Sequence, residues 1–200
     1  MNFTGPKVKK SRALGVALTP KAQKLMQQRP FPPGQHGQRR KRRPSEYAIQ
    51  LLEKQRLRFQ YNVSESQMRR AYEKAARMTG STGDNLVQLL ETRLDALVLR
   101  AGLAPTIYAA RQYVTHGHFH VNGKKSTIPS QRLKVGDVIE VRDRESSKKI
   151  ARANHYEGAA VPVYMEPDVQ NMRGKIIALP EREDFPAFFQ EQQVVEFYAR

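Results

Sequence analysis

The sequence predicts an α+β protein: a mainly helical domain with a basic N-terminal arm, plus a small α+β module in which a two-helix motif precedes short antiparallel strands. Apolar residues recur at helical spacing from about residue 46 to residue 116, and the period then changes to two. The 200 residues include 35 Lys+Arg against 19 Asp+Glu, a formal net charge of +16. Such an excess attracts a polyanion, and nucleic acid is the expected partner class.

Residues 1–45 are predicted to form a basic extended arm. They contain 12 Lys+Arg, no acidic residue and several turn-forming pairs such as Gly5-Pro6 and Pro33-Gly34. A segment with so few large apolar residues cannot offset its own ordering entropy. Its densest charge run, residues 39–43, is expected to bind phosphates, and the alternative is an ordinary solvated tail.

Residues 46–92 are predicted to form a helical domain. Ser45 is a plausible N-cap for the first helix, and Ser64 with Gln67 matches the capping box of a second one. A third helix carries an apolar stripe that includes Leu86 and Leu90.

The end of the chain is predicted to return to that domain. The C-terminal segment 176–200 closes in an apolar helix, so we expect it to pack onto the helical domain and complete it. Residues 156–175 contain Pro162 and Pro167 and are expected to form an extended connection.

Residues 93–155 are predicted to form the small α+β module. Thr106 can cap its second helix, and the alternating pattern that follows ends at Asn122-Gly123, a strong signal for a type I′ hairpin turn. A further strand is expected at residues 138–141.

This module resembles the S-four RNA-binding domain. The resemblance rests on Arg93-Leu94-Asp95, Ala110-Arg111-Gln112, His116-Gly117-His118 and Val121-Asn122-Gly123-Lys124. Outside the module, residues 29–37, 53–55, 179–184 and 196–200 resemble the fourth small-subunit ribosomal proteins of the bacterial or plastid type. The resemblance therefore covers nearly the whole chain.

The resemblance implies a structural component of the small ribosomal subunit that is not an enzyme. Such a protein is a primary rRNA-binding protein: it binds 16S-type rRNA in its 5′ domain and helps nucleate assembly of the subunit body. Its implied partners are the fifth small-subunit ribosomal protein, other neighbouring small-subunit proteins, and mRNA near the path by which it enters. The contact with the fifth protein would contribute to translational accuracy. The expected location is cytoplasmic, in the ribosome, with the plastid stroma as the alternative, and no membrane partner is expected.

Thirteen polar or cationic residues are predicted to bind RNA, because RNA helices are recognised through backbone and shape. They are Arg39, Arg40, Lys41, Arg42, Arg43, Arg93, Arg111, His116, His118, Asn122, Lys124, Lys125 and Arg132. For Lys124 and Lys125 a solvated hairpin tip is an equal alternative. Many family members begin the second module helix with basic residues, whereas this chain has Ile107 and Tyr108, so the contact from that helix is expected to rest on Arg111.

No cofactor and no metal are expected. The chain has no Cys, and Val8 and Ser11 stand where many family members place zinc-binding cysteines. His118 and His120 share one face of a strand, yet no nearby acidic residue completes a set of three or four ligands.

Two further function classes remain open on sequence alone. An RNA-modifying enzyme or synthetase would need a catalytic domain, which only the helical segment could supply. A membrane-surface protein would need a basic amphipathic helix, but the most basic stretch is rich in Pro and Gly.

Overall fold

A computed structural model describes residues 3–39, 43–154, 162–168, 171–184 and 189–200. The chain divides into two compact units: unit 1 is Met1–Leu86 with Ala187–Arg200, and unit 2 is Val87–Pro186. The C-terminal portion that joins the helical unit is therefore shorter than the expected 176–200, and the second unit begins before residue 93 and ends beyond residue 155.

The described elements, in chain order, are as follows. They are α1 (Lys7–Leu14), α2 (Pro20–Gln28), α3 (Glu46–Gln60), α4 (Glu65–Ala75), α5 (Thr82–Glu91), α6 (Leu94–Arg100), α7 (Ile107–Thr115), β1 (Phe119–Val121), β2 (Lys124–Ser126), β3 (Val138–Val141), α8 (Glu145–Asn154), β4 (Met165–Asp168), β5 (Arg173–Ile176), a 3₁₀ turn (Arg182–Asp184) and α9 (Glu191–Ala199). None of the helices within the described ranges is long and apolar enough to cross a membrane.

The N-terminal arm contains two helices where an extended segment was expected. The hydroxyl of Thr19 accepts a hydrogen bond from the backbone N–H of Ala22, and Pro20 occupies the first turn of α2, where its missing N–H costs nothing. Gly15 ends α1 in the left-handed conformation, with φ of 70°. These local signals make short helices in a segment whose composition alone indicated none.

Packing against α3 supplies the apolar contacts that the arm lacks by itself. Leu14 is buried, and its carbonyl accepts a 2.9 Å hydrogen bond from Arg56 of α3. The Phe3 ring meets the edge of Phe59 at 5.1 Å between centroids, and the Lys10 ammonium lies 4.4 Å from the Phe59 centroid. These partners lie more than forty residues away in sequence, so the periodicity of the arm could not reveal them.

Ser11 links α1 to the following turn. Its buried hydroxyl donates to the Lys7 carbonyl at 2.9 Å and accepts from the Leu18 N–H at 3.2 Å.

Helices α3, α4 and α9 form the centre of unit 1, as expected for the C-terminal helix. The predicted caps at Ser45 and Ser64 are confirmed, and the Ser64 capping box with Gln67 is complete in both directions. Leu57 of α3 and Val194 of α9 are fully buried, and the two helices are in close contact.

Glu65 joins three helices of unit 1. It accepts hydrogen bonds from Lys54 of α3 at 2.9 Å and from the Tyr198 hydroxyl of α9 at 2.7 Å. Burial raises the pKa of Glu65, but the bonds from Tyr198 and Lys54 and the charge of Arg58 outweigh burial and lower it. Tyr198 also stacks on Tyr72 of α4, with ring centroids 5.0 Å apart.

Unit 2 is built on an antiparallel sheet with strand order β2-β1-β3-β5-β4. Its core includes Leu94, Leu97, Phe119, Ile139 and Tyr164, which are at most 2% exposed. Leu and Val side chains of α6 and α7 thus cover one face of the sheet. The predicted Thr106 cap is confirmed, and Asn122 and Gly123 both have positive φ, as the predicted turn requires.

The segment expected to be an extended connection contributes strands β4 and β5 to this sheet. Ile139 of β3 pairs with Gly174 of β5, where an added Cβ would lie 3.2 Å from the Met165 side chain and 3.6 Å from Ala101. Glycine therefore allows β5 to lie close to the end of α6. Pro167 lies on the edge strand β4, where its missing N–H leaves the ladder intact.

We predict that Tyr198→Phe lowers the free energy of unfolding by about 1 kcal/mol, because the Glu65 carboxylate loses one of its donors. Tyr72→Phe is the matched control, since its ring stacks on Tyr198 while its hydroxyl has no hydrogen bond to a described residue. Urea denaturation of the full chain measures both. Equal stability of the two variants would contradict the assigned role of this hydroxyl.

Candidate nucleic-acid interface

A buried carboxylate organises the arginines at the start of the α6–α7 motif. Asp95 is fully buried and accepts two hydrogen bonds from Arg93, at 2.9 and 2.7 Å. Arg111 of α7 reaches the same carboxylate at 3.3 Å. Asp95 thereby fixes the guanidinium of Arg111, which is only half-buried and faces the unit surface.

Arg132 joins this group through the backbone. Residues 129–133 run beside the start of α6: Arg93 and Arg132 form an antiparallel bridge, and the Leu94 N–H donates to the Gln131 carbonyl at 2.8 Å. Arg132 is exposed, whereas Arg93 is only 5% exposed. Both remain predicted RNA ligands, and the structure distinguishes them: Arg93 is bonded to Asp95, whereas the Arg132 side chain is exposed.

The charges of this cluster do not cancel. Burial raises the pKa of Asp95, and the bonds and charges of Arg93 and Arg111 oppose that rise. Burial, with the charge of Arg93 added to it, lowers the pKa of Arg132. Arg93 and Arg111 share the Asp95 carboxylate, and Arg132 lies beside Arg93, so arginines outnumber carboxylates in this cluster, which favours a bound anion.

The β1–β2 hairpin presents Lys124 and Lys125, while Asn122 has a structural role. Both lysines are exposed. The Asn122 amide donates to Asp137 at 2.9 Å, and its oxygen accepts from the Val138 N–H at 2.9 Å. The predicted RNA contact of Asn122 would thus have to compete with two hydrogen bonds inside the unit.

The histidines predicted to bind RNA lie at the turn between α7 and β1. His116 is exposed, and His118 is half-buried with its Nδ1 atom 3.0 Å from the Ser147 hydroxyl. His120 lies within β1, 3.9 Å from Glu140. Among the residues that the structure describes, no group of three or more His, Cys, Asp and Glu side chains could hold a metal ion.

The arm contributes its cations in unit 1. Arg39 and Arg43 are exposed, and the remaining predicted ligands of the charge run, Arg40, Lys41 and Arg42, lie outside the described residues. Exposed lysines also occur along both arm helices, for example Lys9 in α1 and Lys21 in α2.

Sequence analysis missed Arg142 and Arg144, which continue from β3 towards α8. The Arg142 N–H donates to the His118 carbonyl at 2.8 Å, so the ladder between β1 and β3 extends to the histidine turn. The sequence did contain a signal for this pair: two arginines at i and i+2, directly after a predicted strand, can lie on the same face of the chain.

A groove of about 400 Å³ between α8 and the sheet also contains cations. They are paired with carboxylates: Arg173 with Glu140 at 3.2 Å, and Lys148 with Asp143 at 2.5 Å. This pairing makes the groove a weaker anion site than the Asp95 cluster.

Comparison with protein families matches both parts of the chain. The family model described as the ribosomal protein S4/S9 N-terminal domain matches residues 2–91, and the one described as the S4 domain matches residues 92–139. The second model thus covers the chain from α6 to the start of β3, which includes the Asp95 cluster and the hairpin.

Full-length relatives are similar over essentially the whole chain. The small ribosomal subunit protein uS4 of Streptomyces griseus is 51% identical over 203 aligned residues, covering 100% of this chain and 99% of the relative. The uS4 proteins of a Synechococcus species and of Chlorobium phaeobacteroides are 51% and 48% identical, each covering 99% of this chain and 98% of the relative.

We predict that Asp95→Ala lowers the free energy of unfolding by about 3–5 kcal/mol, because it leaves the Arg93 guanidinium buried without its counter-charge. Asp143→Asn is the control: its carboxylate is exposed and pairs with Lys148, so the loss should be small. Chemical denaturation followed by circular dichroism compares them. A loss for Asp95→Ala no greater than that for Asp143→Asn would show that Asp95 is not the organising charge.

Proposed function

The chain belongs to the uS4 family of small-ribosomal-subunit proteins, and from this premise we propose that it binds small-subunit rRNA early and helps nucleate assembly of the subunit body. It is a structural, rRNA-binding component of the small subunit and not an enzyme. The observation that carries the proposal is the match along the whole chain, which includes the basic arm, the helical unit and the RNA-binding module alike.

The binding mechanism follows from the distribution of charge. Phosphate contacts supply affinity without reading sequence, so cations on rigid elements can recognise the shape of a folded RNA. The Asp95 cluster offers such cations on α6 and α7, and the hairpin adds Lys124 and Lys125. We propose the 5′ domain of 16S-type rRNA as the target and residues 39–43 as additional phosphate ligands.

Exposed apolar side chains in unit 2 favour contact with a neighbouring protein. Val163, Ile177 and Leu179 are 81%, 48% and 48% exposed. The Ile177 N–H donates to the Tyr164 carbonyl at 3.0 Å, so at least Val163 and Ile177 lie at the same end of the sheet. RNA backbone does not bury aliphatic side chains well, whereas another protein does.

We propose that this apolar surface contacts the fifth small-subunit ribosomal protein or another neighbouring protein of the subunit. Through such a contact the chain would contribute to translational accuracy. Proximity to the incoming mRNA rests on family resemblance, as does the proposed location, the cytoplasmic ribosome.

Binding to a transcript of the small-subunit rRNA 5′ domain tests the function. If about six phosphates are neutralised, the logarithm of the association constant should fall with the logarithm of the salt concentration at a slope of roughly −4 to −5. A transcript of equal length from another rRNA domain is the specificity control. Equal affinity for both transcripts would contradict the proposed target, and a slope near zero would contradict the electrostatic mechanism.

We predict that Arg132→Gln weakens binding and reduces the magnitude of the salt slope by about one, the change expected for a single lost phosphate contact. Lys74→Gln is the matched control, because Lys74 is also exposed but lies on α4, in a segment of nearly balanced charge. Filter binding at several salt concentrations measures both variants. If Lys74→Gln changes the slope as much as Arg132→Gln, the effect reflects net charge and not a site.

A further inference from the structure

The turn that ends α7 holds two histidines in a fixed geometry. Gly117 has φ of 72°, a conformation that other residues adopt at a cost. The Gly117 N–H donates to the Val114 carbonyl at 2.9 Å, and the His118 N–H donates to the Tyr113 carbonyl at 3.1 Å. These are the two hydrogen bonds of a Schellman motif, so the backbone on both sides of Gly117 is rigid.

Cations from two other strands converge on this turn. The 2.8 Å hydrogen bond from the Arg142 N–H to the His118 carbonyl holds the end of β3 against it, and Arg144 follows two residues later. From β2, the Lys125 side chain crosses Gly117: a Cβ added to the glycine would overlap it, with Nζ only 3.2 Å away. We call the five side chains His116, His118, Lys125, Arg142 and Arg144 the Gly117 cluster.

His118 is placed to bind an anion through one ring nitrogen. Its Nδ1 atom lies 3.0 Å from the Ser147 hydroxyl of α8, which can donate or accept, and the edge of the ring meets Tyr113 at 6.2 Å between centroids. Because a hydroxyl can donate to a bare ring nitrogen or accept from a protonated one, this hydrogen bond is compatible with both a neutral and a protonated ring. No hydrogen bond joins the Nε2 atom to another of the described residues, so this atom can bind a ligand.

The electrostatic surroundings of His118 are cationic. Burial lowers its pKa, and the charges of His116, Arg142 and Arg144 lower it further. The neighbouring carboxylates are directed to other partners: Asp143 pairs with Lys148, and Glu145 lies 3.7 Å from Arg152. The positive field at the turn is therefore not offset by these carboxylates.

We propose that the Gly117 cluster binds a backbone phosphate of the rRNA and that His118 takes up a proton when this phosphate binds. The inference rests on the proposed function and adds to it a second phosphate site, separate from the Asp95 cluster, with a pH dependence of its own. Arg142 and Arg144 supply permanent charge, and His118 supplies a charge that forms only in the complex.

The sign of the linkage follows from the two states. In the free protein the surrounding cations disfavour the imidazolium, whereas a phosphate beside Nε2 favours it, so the pKa of His118 is higher in the complex. The complex then binds more protons than its components. The association constant should rise as pH falls, by at most about tenfold per pH unit for one linked proton, and it should level off below the pKa of the free protein.

The first test measures affinity of the full chain for the 5′-domain transcript between about pH 5.5 and 8, the range in which histidine titrates. The ionic strength is held constant throughout. Wild type should bind several-fold more tightly at the acidic end, and His118→Gln should lose most of that pH dependence. His120→Gln is the matched control two residues further along the chain, since His120 lies in β1 beside Glu140 and outside the cluster.

The second test observes the ring directly and requires no variant to fold. Nuclear magnetic resonance of the full chain gives the pKa of His118 in the free protein and with saturating transcript, and the proposal requires a rise on binding. A pKa that is unchanged or lower in the complex overturns the proposal, as does a His118→Gln variant with the pH dependence of wild type. Failure of the transcript to bind at any pH would instead overturn the proposed function.

Discussion

Carboxylates are scarce in this chain, and the buried ones determine how its elements meet. With 35 basic and 19 acidic residues, a buried carboxylate can readily be paired with a cation, and two such pairings in unit 2 also join separate elements. Asp95 joins α6 to α7 through Arg93 and Arg111.

Glu91 is fully buried at the end of α5, where it accepts two hydrogen bonds from Arg100 of α6 and one from the Tyr164 hydroxyl, which lies just before β4. In unit 1, the half-buried Glu65 joins α3, α4 and α9 through its bonds to Lys54 and Tyr198. Since an unpaired buried charge costs several kcal/mol, these few residues restrict the alternative packings of each unit.

The same scarcity leaves the surface with cations that no side chain can neutralise. The acidic residues nearest to the core are paired internally. Positive charge is therefore in excess on the arm, around Asp95 and at the Gly117 turn. Like charges at these places repel each other in the free protein, and a polyanion removes the repulsion while releasing its own counterions. Stability and RNA affinity are thereby linked: a ligand that binds only the folded chain stabilises it by mass action.

Local chemistry in the sequence predicted the elements whose stabilising groups lie within a few residues. Ser45, Ser64 and Thr106 each place a hydroxyl at a helix start, and the Asn-Gly pair specifies its own turn; all are where the sequence indicated. The arm helices and strands β4 and β5 were not predicted, because their stability depends on partners far along the chain, such as Phe59 for the arm and β3 for β5. The same limit applied to the candidate site. Residue type indicates that an arginine can bind phosphate, but only the fold separates a buried arginine committed to Asp95 from an exposed one.

His118 at the Gly117 turn differs from the neighbouring arginines because its charge need not be present, and need not add electrostatic repulsion, in the free protein. A further lysine or arginine beside Arg142 and Arg144 would carry its charge permanently, and the free protein would bear the repulsion at all times. Burial and those neighbours lower the pKa of the His118 imidazole, so the ring carries a charge less often in the free state than an ordinary histidine, and it packs against Tyr113 and Ser147 with less repulsion. Once a phosphate supplies the opposite charge, the same ring can become a cation with its geometry already fixed by the Schellman turn. The positive charge on His118 then forms only when a phosphate is present to compensate it. The free protein therefore carries less repulsion on this densely basic surface.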